Sequence, residues 1–309
     1  MADPEGISPD GDEESTDDEK EQNESSGADA SLSNEDDDHP ESEEPPMADI
    51  TVADIKALRD ATGAGMMDAK KALTDANGDP DAARKILREK GLAKAATRAD
   101  RDNAEGAVAL VAGDGTAAIV HMKSETDFAA KSEEFLAVLD AIAADVLADG
   151  PEAAAKHQEA IEELQITKKE NIELGLVTRI QAGEGNLLDT YLHKQDGRGV
   201  NGVIVEGSGV EASRLHEVAL HIAFAKPLGL SRDEIAPAIA DDERATLMDL
   251  TRAEGKPEEM LEKIVQGKLS RWYGEQVLLE QGLNGDKTSV RDSLDGGSIV
   301  GFNQAFLGG

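Results

Sequence analysis

One plan occurs twice in this chain, and it limits the folds open to it. Residues 105–123 alternate loosely, Gly-Ala-Val-Ala-Leu-Val-Ala and then Thr-Ala-Ala-Ile-Val-His-Met, on either side of Asp114-Gly115. That dipeptide is the strongest short signal for a hairpin turn. Phe135, Val138, Leu139, Ile142 and Val146 then recur at helical spacing, an apolar stripe over about three turns. Strands are predicted again at Leu176–Gln181, Leu187–His193 and Val200–Glu206, with Gly183, Gly185, Gly197 and Gly199 in the turns. A helix from about Val210 to Ala225 follows, with Leu215, Val218, Ala219 and Ile222 inward, and Lys226-Pro227 ends it. Strand, glycine-containing turn, strand, polar joint and helix thus appear in both halves. The expectation is an α+β fold with two related subdomains, 105–165 and 166–309, each built on a small antiparallel sheet.

Where the first hairpin hands over to its helix stands Thr126-Asp127-Phe128-Ala129-Ala130-Lys131. Ser124 or Thr126 can cap that helix by accepting its free amide hydrogens, and Asp127 suits its positive first turn. A carboxylate and a large aromatic are thereby set side by side at a braced helix start. Two readings are open: ordinary capping architecture, or a pair presented to something else.

The remaining segments are helical in pattern. Residues 47–91 read as three short helices marked by Ile55 and Leu58, by Met66, Ala69, Ala72, Leu73 and Ala76, and by Ala83, Ile86 and Leu87. Breaks fall at Thr62-Gly63-Ala64-Gly65 and Asn77-Gly78-Asp79-Pro80, and Thr51 can cap the first helix. Residues 92–104 read as a polar helical connector. Pro151 restarts a helix to about Leu164, and another is expected from near Thr167 to Gly175. Beyond the second unit, helices are predicted at 241–254 and 257–271, split by Gly255-Lys256-Pro257. A short helix starts at Lys287-Thr288-Ser289-Val290, and a last strand lies near Ser298–Phe306.

Charge separates one further segment. Of the formal −34, residues 1–46 carry −18 (19 Asp/Glu against Lys20) and the rest −16. With Ile7 and Leu32 as its only large aliphatic side chains, the segment cannot bury enough surface to offset chain entropy, and a disordered acidic tail is expected. Met47 reads as a protein start, so the tail is expected to be a lineage-specific extension or the product of a mis-assigned start codon. Residues 47–98 hold ten Lys/Arg against eight Asp/Glu. This local basic balance suits an acidic protein partner, or is simply solvated charge on helix exteriors.

Several function classes lose ground. So acidic a chain repels phosphate backbones, and 3% aromatics offer few stacking platforms, so direct nucleic-acid binding is not expected. No run approaches 18 apolar residues and no secretory pattern opens the chain, so neither a membrane span nor export is expected. Zero cysteines exclude disulfides and thiolate metal sites and fit a reducing cytoplasm. There is no Gly-x-x-x-x-Gly-Lys-Ser/Thr loop, no His-Glu-x-x-His and no Gly-x-Ser-x-Gly. His216 and His221 are about 140° apart around a helix, poor spacing for a shared metal. No catalytic residue, metal or cofactor is implied.

Three stretches together resemble one family, bacterial elongation factor Ts, the guanine-nucleotide exchange factor of elongation factor Tu. They are Leu58-Arg59-Asp60-Ala61-Thr62-Gly63-Ala64-Gly65-Met66-Met67-Asp68-Ala69-Lys70-Lys71-Ala72-Leu73, the 126–131 turn, and His221-Ile222-Ala223-Phe224-Ala225-Lys226-Pro227. Gly255-Lys256-Pro257 and Leu278-Leu279-Glu280-Gln281 follow in family order. The resemblance spans about 47–309. It implies a ubiquitin-associated-like three-helix module, two related α+β subdomains and a C-terminal helical piece. It also implies a translation factor without covalent chemistry that binds elongation factor Tu, GDP-bound and nucleotide-free, in the cytoplasm. Thr126, Asp127, Phe128 and Ala129 would then form the element that disturbs the partner's Mg²⁺ and phosphates. Lys70, Asn201, Gly202 and His221 match further contact positions. Asn201 departs from an apolar residue common in the family, and Gly282-Leu283-Asn284-Gly285 departs from Pro-Phe-Val after Gln281. A one-to-one complex and a two-to-two complex through a homodimer both stay open. The rival from another class is a scaffold whose helical module binds a protein partner.

Overall fold

The computed structural model describes residues 49–308; the expected acidic tail lies outside them. Thr51 opens α1 (Val52–Thr62) in a capping box with Asp54, and Gly63 closes it in the left-handed conformation at φ 63°. α2 (Met66–Asp75) and α3 (Pro80–Ala96) follow, the latter capped by Asp79 through the amides of Asp81 and Ala82. Ile55, Leu58, Ala69, Ala72, Leu73, Ala83 and Leu87 close a small core. Met66, expected inward, is largely exposed. The expected connector helix over 92–104 does not form as a separate element: α3 runs on through Gly91 to Ala96, and turns lead into an irregular 102–104. At Gly91 the helix passes close to the C-terminal end of the later helix at Gln158–Lys168, where a Cβ would lie 2.9 Å from the Ile166 side chain.

β1 (Glu105–Gly113) and β2 (Thr116–Ser124) pair antiparallel through Asp114-Gly115, both at positive φ (51° and 70°). The helix expected after the turn is split in two. Thr126 caps a single turn, α4 (Asp127–Ala130), and Ser132 caps α5 (Glu133–Asp149). A 3-10 turn at Pro151–His157 leads into α6 (Gln158–Lys168). The helix expected from Thr167 to Gly175 is replaced by β3 (Glu173–Gln181), which pairs antiparallel with β2. Gly175 lies inside that strand because a Cβ there would sit 2.9 Å from His121 Nδ1. β3 therefore belongs to the first sheet, not to the second unit as its sequence position suggested.

β4 (Asn186–Gln195) and β5 (Arg198–Ser208) form the second hairpin around Asp196-Gly197, again both at positive φ. α7 (Ala212–Ala225) packs on it, and α8 (Pro237–Ala253) and α9 (Glu258–Gln276) pair with each other. The short helix expected near 287–290 forms slightly later, as a 3-10 turn at Arg291–Leu294. β6 (Ser298–Phe306) returns to pair with β5. The two sheets, β1-β2-β3 and β4-β5-β6, share one order and one plan. No helix among the described residues is long and apolar enough to cross a membrane.

The alternation of the strands dictates the layering. Ala118, Val120 and Met122 of β2 meet Phe135, Leu139, Ile142 and Val146 of α5. The intervening Ala117 and Ile119 face Ile204 and Ala305 of the second sheet. On that sheet, Val203 and Val205 turn away toward Leu215, Val218 and Ile222 of α7. The core is therefore helix, sheet, sheet, helix, with both middle strands buried on both faces.

Candidate functional site

The 126–131 turn is braced from below and open above. Glu170, in the loop after α6, accepts from Thr126 Oγ1 (2.6 Å) and from the amides of Thr126 and Glu125 (3.1 Å each). Glu125 accepts from the Asn171 amide (2.7 Å), and Asn171 Nδ2 donates to the carbonyls of Ala99 and Arg101. Thr126 Oγ1 caps α4 through the Ala129 amide (3.3 Å). Ser124, the other expected cap, instead donates to the Thr126 carbonyl (3.0 Å). Ala129 and Ala130 are buried and anchor the turn, whereas Phe128 is 84% exposed. Among the described residues the benzyl ring is thus left in solvent on a constrained backbone, the placement that a pair presented to something else requires.

Its charged neighbours come from both sheets. Lys131 Nζ lies 2.7 Å from Asp127 and 3.1 Å from Asp196, the latter in the turn of the second hairpin. The hydrogen bond from Lys131 holds the Asp127 carboxyl below the ordinary range, helped by the charges of Lys131 and Arg198, so it is ionised at neutral pH. Arg198 itself is buried, donating to the Gly106 carbonyl and to Glu105 (2.8 Å). The Asp127-Lys131-Asp196 chain was invisible in the sequence, because Asp196 is far from Lys131 along the chain and meets it only once the two hairpins are folded.

The other residues singled out in the sequence have different placements. Lys70 is exposed on α2, on one face with Met66 and the 77%-exposed Met67. Asn201 is buried: its Nδ2 donates to the Ala223 carbonyl (2.7 Å) and its Oδ1 accepts from Gln304 (3.0 Å). Gly202 faces the first sheet, where a Cβ would stand 2.9 Å from Val108 Cγ1. His221 is buried too, its Nδ1 accepting from the Asn284 amide (3.1 Å). The proton therefore sits on Nε2, which faces Gln281 Oε1 at 2.9 Å. This pins the Gly282–Gly285 segment where the chain departs from the family pattern. His216 turns elsewhere, to Asp189 (3.1 Å).

Two exposed apolar groups escaped the sequence reading. Phe224 is 89% exposed near the end of α7, on a helix that also leaves Leu220 partly exposed, and Leu228 lies just beyond. The signal was present, since Phe224 falls off the stripe of Leu215, Val218, Ala219 and Ile222. The Met66-Met67 pair is the other.

Residues 125–304 match the family model for elongation factor Ts. The elongation factor Ts of Cutibacterium acnes is 42% identical over 269 residues, covering 81% of this chain and 95% of that protein. The one from Dinoroseobacter shibae is 40% identical over 272 residues, covering 84% and 92%. That of Clavibacter michiganensis subsp. michiganensis is 38% identical over 277 residues, covering 85% of this chain and all of the relative.

Proposed function

The chain belongs to the elongation factor Ts family of translation elongation factors, and from that premise we propose that it binds elongation factor Tu and releases its GDP. The reading rests on one observation above the rest, the exposed Phe128 beside an ionised Asp127 on a braced turn. Phe128 enters an apolar pocket of the partner's nucleotide-binding domain, and Asp127 fixes its approach and competes for polar groups there. Mg²⁺ holds a nucleotide by bridging phosphate oxygens, so displacing its ligands loosens the whole site. A thousandfold faster release requires the open form to be favoured by about 4 kcal/mol. Burial of the benzyl ring supplies roughly 1.5–3 kcal/mol of this, and polar contacts the remainder. By linkage, returning GTP weakens the complex by a matching amount, and the factor is released.

No bond is made or broken by this chain in that scheme. The exposed face of Lys70, Met66 and Met67 is a second contact, made by the helical module. Asn201, Gly202 and His221 support the contact surface from within, holding β5, α7 and the segment after Gln281 together. The test is release of mant-GDP from purified elongation factor Tu. The chain should accelerate release, and Phe128→Ala should bind but accelerate little. A chain that binds the partner and leaves the release rate unchanged would be a scaffold, and the proposal would fail.

A further inference from the structure

Between the helical module and α6 lies a cavity of about 410 Å³, inside the size range of small-molecule sites. Its rim is the loop Thr62-Gly63-Ala64-Gly65, and Leu87 and Ile166 contribute apolar wall. Arg84, Arg88, Lys90, Lys94, Arg98 and Lys169 line it against only Asp68 and Glu163. Arg84 and Arg88 are paired with Asp81, Glu159 and Glu162 outside the lining, yet the lining itself stays basic in a chain of −34. Lys90 and Lys94 converge on Asp68 (Lys94 at 3.6 Å), and the hydrogen bond from Lys90 holds that carboxyl below its ordinary range. Among the described residues, Arg98 has a backbone carbonyl of Gln165 for partner and Lys169 forms no ion pair, so two cations are uncompensated.

We propose that this cavity binds a small organic polyanion of nucleotide size, its phosphates on Lys94, Arg98 and Lys169 and its apolar body against Leu87 and Ile166. A concave site with an apolar wall suits such a ligand better than a flat acidic protein face does. The bound molecule touches α3 and α6 together and so braces the helical module against the core. It is a second site, remote in sequence from the 126–131 turn.

The full chain without its partner is titrated with ATP as the probe at low salt and followed by amide chemical shifts. Shifts should appear at Gly63, Gly65, Gly91 and Lys169, leave Phe128 and Phe224 still, and shrink as salt is raised. Lys94→Gln combined with Lys169→Asn, which keeps a residue tolerant of left-handed backbone at 169, should weaken binding about tenfold or more. Lys268→Gln, which touches only the Glu254 pair, should bind as the parent does. Adenosine without phosphates should not bind. ATP shifts no larger than those of sodium chloride at equal ionic strength, or a double variant that binds like the parent, would overturn the site. So would a polyglutamate peptide that binds the same amides more tightly than ATP, which would make the cleft a peptide surface. None of these readouts involves nucleotide release from elongation factor Tu, so the two proposals fail separately.

Discussion

Phe128 and His121 are opposite cases of a side chain at odds with its surroundings. Phe128 leaves a large apolar ring in water on a turn whose next two residues are buried. Its removal should hardly affect stability, because exposed substitutions of this kind stay within about 0.5 kcal/mol. Phe128→Ala should therefore melt like the parent while its stimulation of GDP release falls at least about tenfold, the loss expected for an aromatic anchor worth upward of 1.4 kcal/mol. An equal loss of melting temperature would mean the ring supports the fold instead. His121 is the reverse, a polar ring on β2 buried at a bulge in the pairing with β3, with Nε2 unpartnered. Burial, aided by the charge of Lys123, lowers its pKa to about 4. The unfolded chain titrates near 6.5, so the folded state holds fewer protons between these values. Stability is thus full above pH 6.5 and falls as the pH drops toward 4. Buried His221, lowered by its own desolvation, acts in the same direction. The free energy of unfolding should decline by about 2 kcal/mol from pH 7 to 5 on account of His121. His121→Leu should flatten that slope in denaturant melts at the two pH values, and an unchanged slope would place the effect elsewhere.

At the scale of elements, the turn depends on a loop far away in sequence. Glu170 accepts three hydrogen bonds from Glu125 and Thr126, so the turn that carries Phe128 is aimed by the exit of α6 as much as by its own cap. Glu170→Ala should speed hydrogen exchange at the Glu125 and Thr126 amides and lower the stimulation of GDP release several-fold, with Phe128 itself untouched. Unaltered exchange at those amides would show the brace to be dispensable. Elements with strong local signals were legible in the sequence: the first hairpin turn, the Thr51 cap, the break before Pro80, the stripes of α5 and α7, and β6 to the residue. Gly175 misled because its reason is close approach of a distant side chain, not a helix end. The same limit hid Glu170 and Asp196, whose roles exist only after distant segments meet. Composition and spacing left the 126–131 turn with two readings. The exposure of Phe128, which the presented-pair reading requires, belongs to the folded chain.

The whole molecule rests on two sheets meeting face to face, and that contact brings the second hairpin's Asp196 within reach of Lys131. Close approach at one edge of the contact is possible because β5 carries glycines there. A Cβ on Gly199 would stand 2.1 Å from the Val108 carbonyl oxygen, and one on Gly202 would stand 2.9 Å from Val108 Cγ1. The sequence resemblance pointed to Gly202 as a partner contact, whereas its position makes it a spacer. The two roles predict different behaviour for Gly202→Val. As a spacer, the added side chain forces the sheets apart and costs about 1–3 kcal/mol. For a domain of this size that is a fall in melting temperature of some 2–4 °C per kcal/mol. Well below the new transition the sheets still meet, so stimulated GDP release at low temperature should stay within about twofold of the parent and collapse only as the variant unfolds. As a direct contact, Gly202→Val would slow release at every temperature while the melting curve stayed in place. Measuring melting and release on the same preparation across temperature separates a residue that builds the platform from one that touches the partner.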